Sequence, residues 1–128
     1  MLATGAHAEA TKYEILKVSE SVEINAPVAK VWEVVGKWED MLWNPAFIKS
    51  TAVPATGGTQ PNATRKLYLS PDLVLHETLT DYRPGKSYSY VISKVDMTAV
   101  PVSKYGATIS VAEKDGNTTL TWTADFLR

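Results

Sequence analysis

The stretch "NAPVAKVWEVVGKWEDMLWNPAF", from Asn25 to Phe47, holds three of the chain's four tryptophans and divides the sequence into two parts. Pro27 suits the first turn of a helix and Gly36 suits its end. Between them the apolar residues recur at the i, i+3, i+4 and i+7 spacing of an amphipathic helix: Val28, Val31, Trp32 and Val35. A second short helix is predicted from about Trp38 to Leu42, before Pro45 interrupts helical structure.

The three indoles of this stretch have different predicted roles. Trp32 lies on the valine stripe and is expected in the core. Trp38 and Trp43 flank Met41 and Leu42 and are candidates for the lid of an apolar cavity, because an indole combines a large apolar body with one N–H group. For Trp43 three interpretations stay open: core, cavity wall or lid, and contact with a partner protein.

The residues before this stretch predict a tail and a strand. The run "YEILKVSESVEI", from Tyr13 to Ile24, alternates as a strand does, and Glu20 falls on its apolar face. Residues 1–12 are predicted to be a flexible tail. The "AHA" within them has the small-x-small form of a signal cleavage site, and as the end of a signal it would belong to a periplasmic or secreted protein. The alternative is a disordered N-terminus on a cytoplasmic protein.

After the loop "PATGGTQPNAT" the chain is typical of strands joined by tight turns. Two hairpins, one turning at Ser70–Asp72 and one at Pro84-Gly85, share their middle strand and agree on one inner face. Their registers give six facing pairs: Leu69 with Leu73, Leu67 with Leu75, Arg65 with Glu77, Asp81 with Tyr88, Leu79 with Tyr90, and Glu77 with Ile92.

A third hairpin is predicted at "KDGN", with Asp115-Gly116 at the centre of a two-residue turn. This turn sets four apolar pairs on one face: Val111 with Leu120, Ile109 with Trp122, Ala107 with Ala124, and Tyr105 with Phe126. That face is the clearest piece of core in the sequence.

Several polar side chains fall on the predicted inner face: Glu20, Arg65, Glu77, Asp81, Tyr88 and Tyr90. Ionised groups on an apolar face are costly unless they are paired, so an ion pair between Arg65 and Glu77 is expected. The pair has three interpretations: it supports the sheet, it orients a polar group of a ligand together with the tyrosine hydroxyls, or Glu77 acts as a general base. The predicted ligand-binding residues are Trp43, Arg65, Glu77, Tyr88, Tyr90, Trp122 and Glu20, and Glu77 and Arg65 are also the catalytic candidates.

Composition limits the class of protein. The 128 residues are 45% hydrophobic and 21% charged, with a net charge of -1, so one globular domain without a nucleic-acid partner is expected. No apolar run is long enough to span a membrane. Cysteine is absent. His76 alternates with the inner-face residue Glu77 and is expected on the outer face, and His7 lies in the tail. A metal site needs three or four converging ligands, so neither a metal nor another cofactor is expected.

At this point the residues resemble a known family. "VSESVEINAPVAKVWEVVGKWEDMLWNPAF" is similar to the opening of the SRPBCC proteins (START / Bet v 1-like, including polyketide cyclase/dehydrase-like members). The later "ATRKLYLSPDLVLHETLTDYRPGKSYSYVI" resembles their Arg strand and "E-x-L" strand, and "VPVSKYGATISVAEKDGNTTLTWTADF" looks most like the MxaD-type periplasmic branch. The resemblance covers about Val18 to Leu127. Asn44 departs from the MxaD-type pattern, which tends to have His there.

The resemblance implies an α+β, helix-grip (Bet v 1-like) fold: a curved seven-stranded antiparallel sheet, with two short helices after the first strand, wrapped round a long C-terminal helix. That long helix is missing from this chain, where it ought to follow Phe126. We therefore expect residues 13–128 to be a single but C-terminally incomplete domain. The alternative is a homodimer or a protein partner that closes the cavity.

Three functions are open from the sequence. The leading hypothesis is a non-enzymatic domain that binds a small apolar or amphipathic molecule in a cavity on the concave face of the sheet. The second is a polyketide cyclase- or dehydratase-like enzyme that uses Glu77 and Arg65. The third, implied only by the MxaD-type resemblance, is an accessory interaction protein of a periplasmic methanol-oxidation system.

Overall fold

The computed structural model describes residues 15–53, 59–96 and 104–127, in which one antiparallel sheet and one helix are found. The sheet has seven strands in the order β1-β7-β6-β5-β4-β3-β2. The elements in chain order are β1 Ile15–Ile24, α1 Val28–Val35, β2 Lys49–Val53, β3 Thr64–Tyr68, β4 Val74–Arg83, β5 Ser87–Asp96, β6 Lys104–Lys114 and β7 Asn117–Leu127. The predicted α+β fold is confirmed, whereas the predicted tail 1–12 lies outside the described residues.

The predicted second helix, from Trp38 to Leu42, is wrong, because residues 37–47 form a series of turns. The side-chain oxygens of Asp40 and Asn44 each accept a hydrogen bond from the backbone N–H group two residues ahead, at 2.9 Å and 3.0 Å. Short polar side chains that bind the backbone in this way stabilise turns at the expense of a helix. The irregular path leaves the side chains of this segment free to point toward the sheet.

The one described helix, α1, is held at its start by the strands beneath it. Its N-terminal position, Pro27, makes no side-chain cap. Instead, the carboxylate of Glu113 on β6 accepts a hydrogen bond from the Val28 N–H at 2.7 Å, and Thr118 on β7 donates to the Ala26 carbonyl oxygen at 2.7 Å. A carboxylate also suits the positive end of the helix dipole. These contacts seat α1 over β6 and β7, where Val31 and Val35 are buried.

The first and third hairpins have the predicted registers. Leu67 faces Leu75 and Arg65 faces Glu77 across β3 and β4. All four pairs predicted for the β6–β7 hairpin are present. Asp115 and Gly116 both have positive φ, at 54° and 80°, as a type I′ turn requires.

The second hairpin has the predicted register only in part, because its turn contains an extra residue and β4 contains a bulge. Leu79 faces Tyr90 as expected. The register shifts between Leu79 and Asp81, so Asp81 faces Ser89 and not Tyr88. A bulge turns the following side chains to the opposite face. Asp81 is therefore not an inner-face residue, and its exposed carboxylate pairs with Arg83 at 3.0 Å.

The bulge brings Tyr82 to the inner face in place of Asp81. Tyr82 lies opposite Tyr88, and the two rings stack with centroids 6.0 Å apart and an interplanar angle of 11°. The Tyr82 hydroxyl donates a hydrogen bond to the Gly36 carbonyl oxygen at 2.6 Å. This contact fixes the end of α1 against β4.

Gly36 also allows the Trp32 indole to pack on the end of the helix. A Cβ at residue 36 would stand within 2.7 Å of several atoms of that indole, a distance real Cβ contacts almost never show. We expect Gly36→Ala to lower the free energy of unfolding by about 1–3 kcal/mol, because either the indole or the helix end must move. Urea unfolding followed by tryptophan fluorescence measures the change.

Gly106→Ala is the matched control, because a Cβ there meets its nearest atoms at an ordinary 3.8 Å. Its unfolding midpoint should stay close to that of the parent protein. Equal midpoints for the two variants would contradict the packing role of Gly36.

Candidate functional site

A buried ion pair lies at the centre of the inner face. Arg65 is 1% exposed and Glu77 is 3% exposed. The Arg65 Nε donates a hydrogen bond to Glu77 Oε1 at 2.8 Å, and Nη2 lies 2.8 Å from the same oxygen without an aligned hydrogen bond. The ion pair expected from the register is confirmed.

Aromatic rings surround the guanidinium. The Arg65 Cζ lies 3.9 Å from the ring centroid of Trp38, 4.7 Å from that of Tyr90 and 5.6 Å from that of Tyr88. The π faces attract the cation, and the planar guanidinium fits between flat rings. Arg65 Nη1 also donates to the Trp38 carbonyl oxygen at 3.2 Å. We call Arg65, Glu77, Trp38, Tyr88 and Tyr90 the buried polar cluster.

Burial shifts the pKa values of this cluster. Desolvation raises the pKa of Glu77, and the adjacent Arg65 charge opposes part of that rise. Desolvation also raises the pKa of Tyr90 well above its ordinary value, with a further contribution from the Glu77 charge. The pKa of the Tyr88 hydroxyl is raised for the same first reason. The charge on Glu77 therefore depends on Arg65.

A cavity of about 400 Å³ lies beside this cluster, between the sheet and the 37–47 segment. Its walls are mostly apolar, and its polar groups lie on β1 and at Asn44. The lining residues are Glu20, Ser21, Val22, Met41, Trp43, Asn44, Ile109, Leu120 and Trp122. A concave, mostly apolar space of this size with a few polar groups is typical of small-molecule sites.

The predicted ligand-binding residues fall into two groups. Glu20, Trp43 and Trp122 line the cavity. Arg65, Glu77, Tyr88 and Tyr90 belong to the buried polar cluster and are absent from the cavity lining. One hydrogen bond joins the groups, from Trp122 Nε1 to the Tyr90 hydroxyl at 3.2 Å.

Trp38 is not a lid, contrary to the sequence-based expectation. It is fully buried, and its Nε1 donates to the Thr64 carbonyl oxygen at 3.3 Å. Sequence spacing gives no sign of this role, because Trp38 belongs to no periodic element. The sequence signal for the burial of Trp38 is Arg65, because a buried guanidinium needs aromatic or carbonyl partners.

Met41 and Ile109 are cavity residues that sequence reasoning did not assign to the site. Met41 is 3% exposed, and its sulfur lies 3.9 Å from the Tyr88 hydroxyl. Ile109, opposite Trp122 on the neighbouring strand, is fully buried and forms part of the cavity wall. Trp43 is half-buried, and its Nε1 lacks a hydrogen-bond partner within the described part of the chain.

Across residues 15–53, 59–96 and 104–127, no group of three or more His, Cys, Asp or Glu side chains is placed to hold a metal ion. Over the same ranges, no helix has the length and apolar character needed to cross a membrane.

The sequence matches the family model described as "Polyketide cyclase / dehydrase and lipid transport" over residues 16–128. The match spans nearly the whole chain, so the chain belongs to this family. Its seven-stranded antiparallel sheet has the Bet v 1-like, START-like form that the sequence resemblance implied. No curated protein is similar enough in sequence to count as a relative.

Solved structures show the same fold at low sequence identity. A protein from Nitrosospira multiformis is 21% identical, with a TM-score of 0.72 over 87% of this chain and 78% of that one. A truncated norcoclaurine synthase from Thalictrum flavum is 13% identical, with a TM-score of 0.68 over 90% and 76%. A START superfamily protein from Mycobacterium smegmatis is 15% identical, with a TM-score of 0.61 over 86% and 75%.

Removal of one member of the buried ion pair should destabilise the protein more than removal of both. Arg65→Met leaves the Glu77 carboxylate buried without its partner, which costs about 3–5 kcal/mol. We expect the double variant Arg65→Met/Glu77→Met to recover part of this loss, although the contact with the Trp38 carbonyl stays lost. Chemical unfolding of both variants measures the difference, and a double variant less stable than Arg65→Met would contradict it.

The buried phenols predict a loss of stability in alkali. Because the folded-state pKa of Tyr90 is raised above the ordinary value of 10, its contribution is fully present below pH 10 and is lost as the pH rises through the folded value. We expect the free energy of unfolding to begin to fall near pH 10 and to go on falling as the pH rises toward the folded-state pKa. Tyr90→Phe should reduce the slope of that fall, and an unchanged slope would contradict the assignment.

Proposed function

We propose that this chain binds a small apolar or amphipathic molecule in the cavity between the inner face and the 37–47 segment. The observation that carries the proposal is the cavity of about 400 Å³, with two indoles, Met41, Ile109 and Leu120 in its walls. Family membership supports it, since the family's description includes lipid transport. Apolar walls release water when a ligand enters, which drives binding without a catalytic group.

The burial of Glu77, which is absent from the cavity lining, favours binding over catalysis as the function of the cavity. A catalytic Glu77 has to reach the substrate, but its side chain is 3% exposed and belongs to the buried polar cluster. A general base must lie within hydrogen-bond reach of the proton that it removes. The pair is linked to the cavity wall by contacts alone: Arg65 lies over the Tyr90 ring, and the Tyr90 hydroxyl accepts a hydrogen bond from Trp122 Nε1.

One observation favours a cyclase- or dehydratase-like activity as the second candidate function. Burial raises the pKa of Glu77, which is the property of a carboxyl group adapted to acid–base work. Glu77→Gln should then abolish turnover of a polyketide-type substrate while binding persists. Unchanged turnover in Glu77→Gln would remove this candidate.

The accessory role in periplasmic methanol oxidation rests on the MxaD-type resemblance alone. No contact, charge or surface in the described residues favours it, and it forms no part of the proposal.

Binding is tested with phenylbutanol, a neutral amphiphile, by titration with tryptophan fluorescence and calorimetry. We expect saturable binding that changes the emission, because Trp43 and Trp122 are in the cavity wall. Val22 also lines the cavity and is 54% exposed, so Val22→Lys should weaken binding by roughly tenfold without loss of folding, since it places a charge beside the apolar ligand.

Val91→Lys is the matched control, because Val91 is an exposed valine, at 39%, that does not line this cavity. It should bind phenylbutanol as the parent protein does. Absence of saturable binding in the parent, or equal weakening by both substitutions, would contradict the proposed function.

A further inference from the structure

The cavity carries one formal charge, and that charge is negative. Among the described residues that line it, Glu20 alone has an ionisable side chain. Glu20 lies on β1 directly opposite Trp122 on β7, on the same face as Val22. Its carboxylate therefore stands beside an indole at the edge of a mostly apolar space.

Among the residues that the structure describes, no cation neutralises this carboxylate. In the part of the chain that the structure describes, neither an ion pair nor a hydrogen bond involves the Glu20 side chain. Arg65, in the buried polar cluster, is paired with Glu77 at 2.8 Å. Lys17 on the same strand has the opposite parity and pairs with Asp125 at 3.2 Å. The buried pair is neutral as a unit, so the field in the cavity is set mainly by Glu20.

The two indoles in the cavity wall also favour a positively charged ligand. Trp43 and Trp122 present large π systems, and tryptophan attracts cations more strongly than the other aromatic side chains do. A carboxylate and indole walls together attract a positive group and repel a negative one. The apolar part of the remaining wall, formed by Val22, Met41, Ile109 and Leu120, favours an apolar body, and the neutral polar residues Ser21 and Asn44 complete the lining.

We propose that the cavity is selective for organic cations: molecules with an apolar body and an ammonium head that lies beside Glu20. A fatty carboxylate of the same shape is disfavoured, because its head would face the Glu20 carboxylate without a compensating cation. This inference rests on the proposed function, to which it adds the charge of the ligand.

The test compares three probes that share one apolar body and differ in the head group: phenylbutylamine, phenylbutanol and phenylbutanoate. Calorimetry at low salt gives each Kd. We expect the amine to bind about fivefold more tightly than the alcohol, and the carboxylate to bind more weakly than both. Added salt should reduce the advantage of the amine, because Glu20 is exposed and its charge is screened.

Two variants assign the preference to Glu20. In Glu20→Gln the ratio of the Kd for the alcohol to the Kd for the amine should fall well below that of the parent protein, to the part that the indoles supply. Glu23→Gln removes a carboxylate from the same strand at the opposite parity, and it should keep the preference of the parent protein.

The outcomes separate the two proposals. Equal binding of the three probes overturns the selectivity for cations, and a preference undiminished in Glu20→Gln overturns the placement of the ammonium head beside Glu20. Either result leaves the proposed binding function in place. Failure of every probe to bind overturns the binding function and the selectivity together.

Discussion

The ion pair between Arg65 and Glu77 is the constraint on which the rest of the structure depends. Both charges are almost fully removed from water, and each is tolerable only because the other lies at 2.8 Å. The pair alone does not satisfy the guanidinium, which has five N–H donors and two flat faces. The chain supplies a carbonyl oxygen from Trp38 and ring faces from Trp38, Tyr88 and Tyr90. Residues distant in sequence are thus tied to one side chain.

The contacts that the Arg65 guanidinium needs explain why the irregular segment 37–47 is held in one position. Residues 37–47 form turns, and turns have few internal hydrogen bonds to fix their position. Arg65 holds the backbone at Trp38, and the Trp38 indole donates to the Thr64 carbonyl. The Ser50 hydroxyl on β2 donates to the Glu39 carbonyl oxygen at 2.8 Å and accepts from the Met41 N–H at 3.3 Å. Met41 and Trp43 are consequently carried to positions over the inner face, where they form one wall of the cavity.

The cavity and the buried polar cluster have different chemistry because they differ in access to water. The cluster is closed, so its charges are compensated within the protein and its tyrosine pKa values are raised. The cavity is open at Glu20, whose charge solvent can hydrate when no ligand is present. Because its charges are compensated inside the protein, the buried polar cluster is suited to supporting the cavity wall. The Glu20 carboxylate is open to solvent and has no partner among the described residues, so it is suited to binding a charged ligand. The Trp122–Tyr90 hydrogen bond and the contact between the Met41 sulfur and the Tyr88 hydroxyl join them.

Local sequence determined much of the fold and part of the site. Strand alternation and the turn residues Asp115 and Gly116 were sufficient for the β6–β7 register, and the Arg65–Glu77 pair followed from a single hairpin. These features depend on neighbours in the chain, whose geometry is set by backbone sterics and a period of two. Tertiary structure alone decided the bulge after Leu79, the burial of Trp38 and the capping of α1 by Glu113, because each depends on contacts between residues far apart in sequence. It also separated Glu20, Trp43 and Trp122 from the buried cluster: parity tells which face a side chain shares, but only packing decides how much water reaches it.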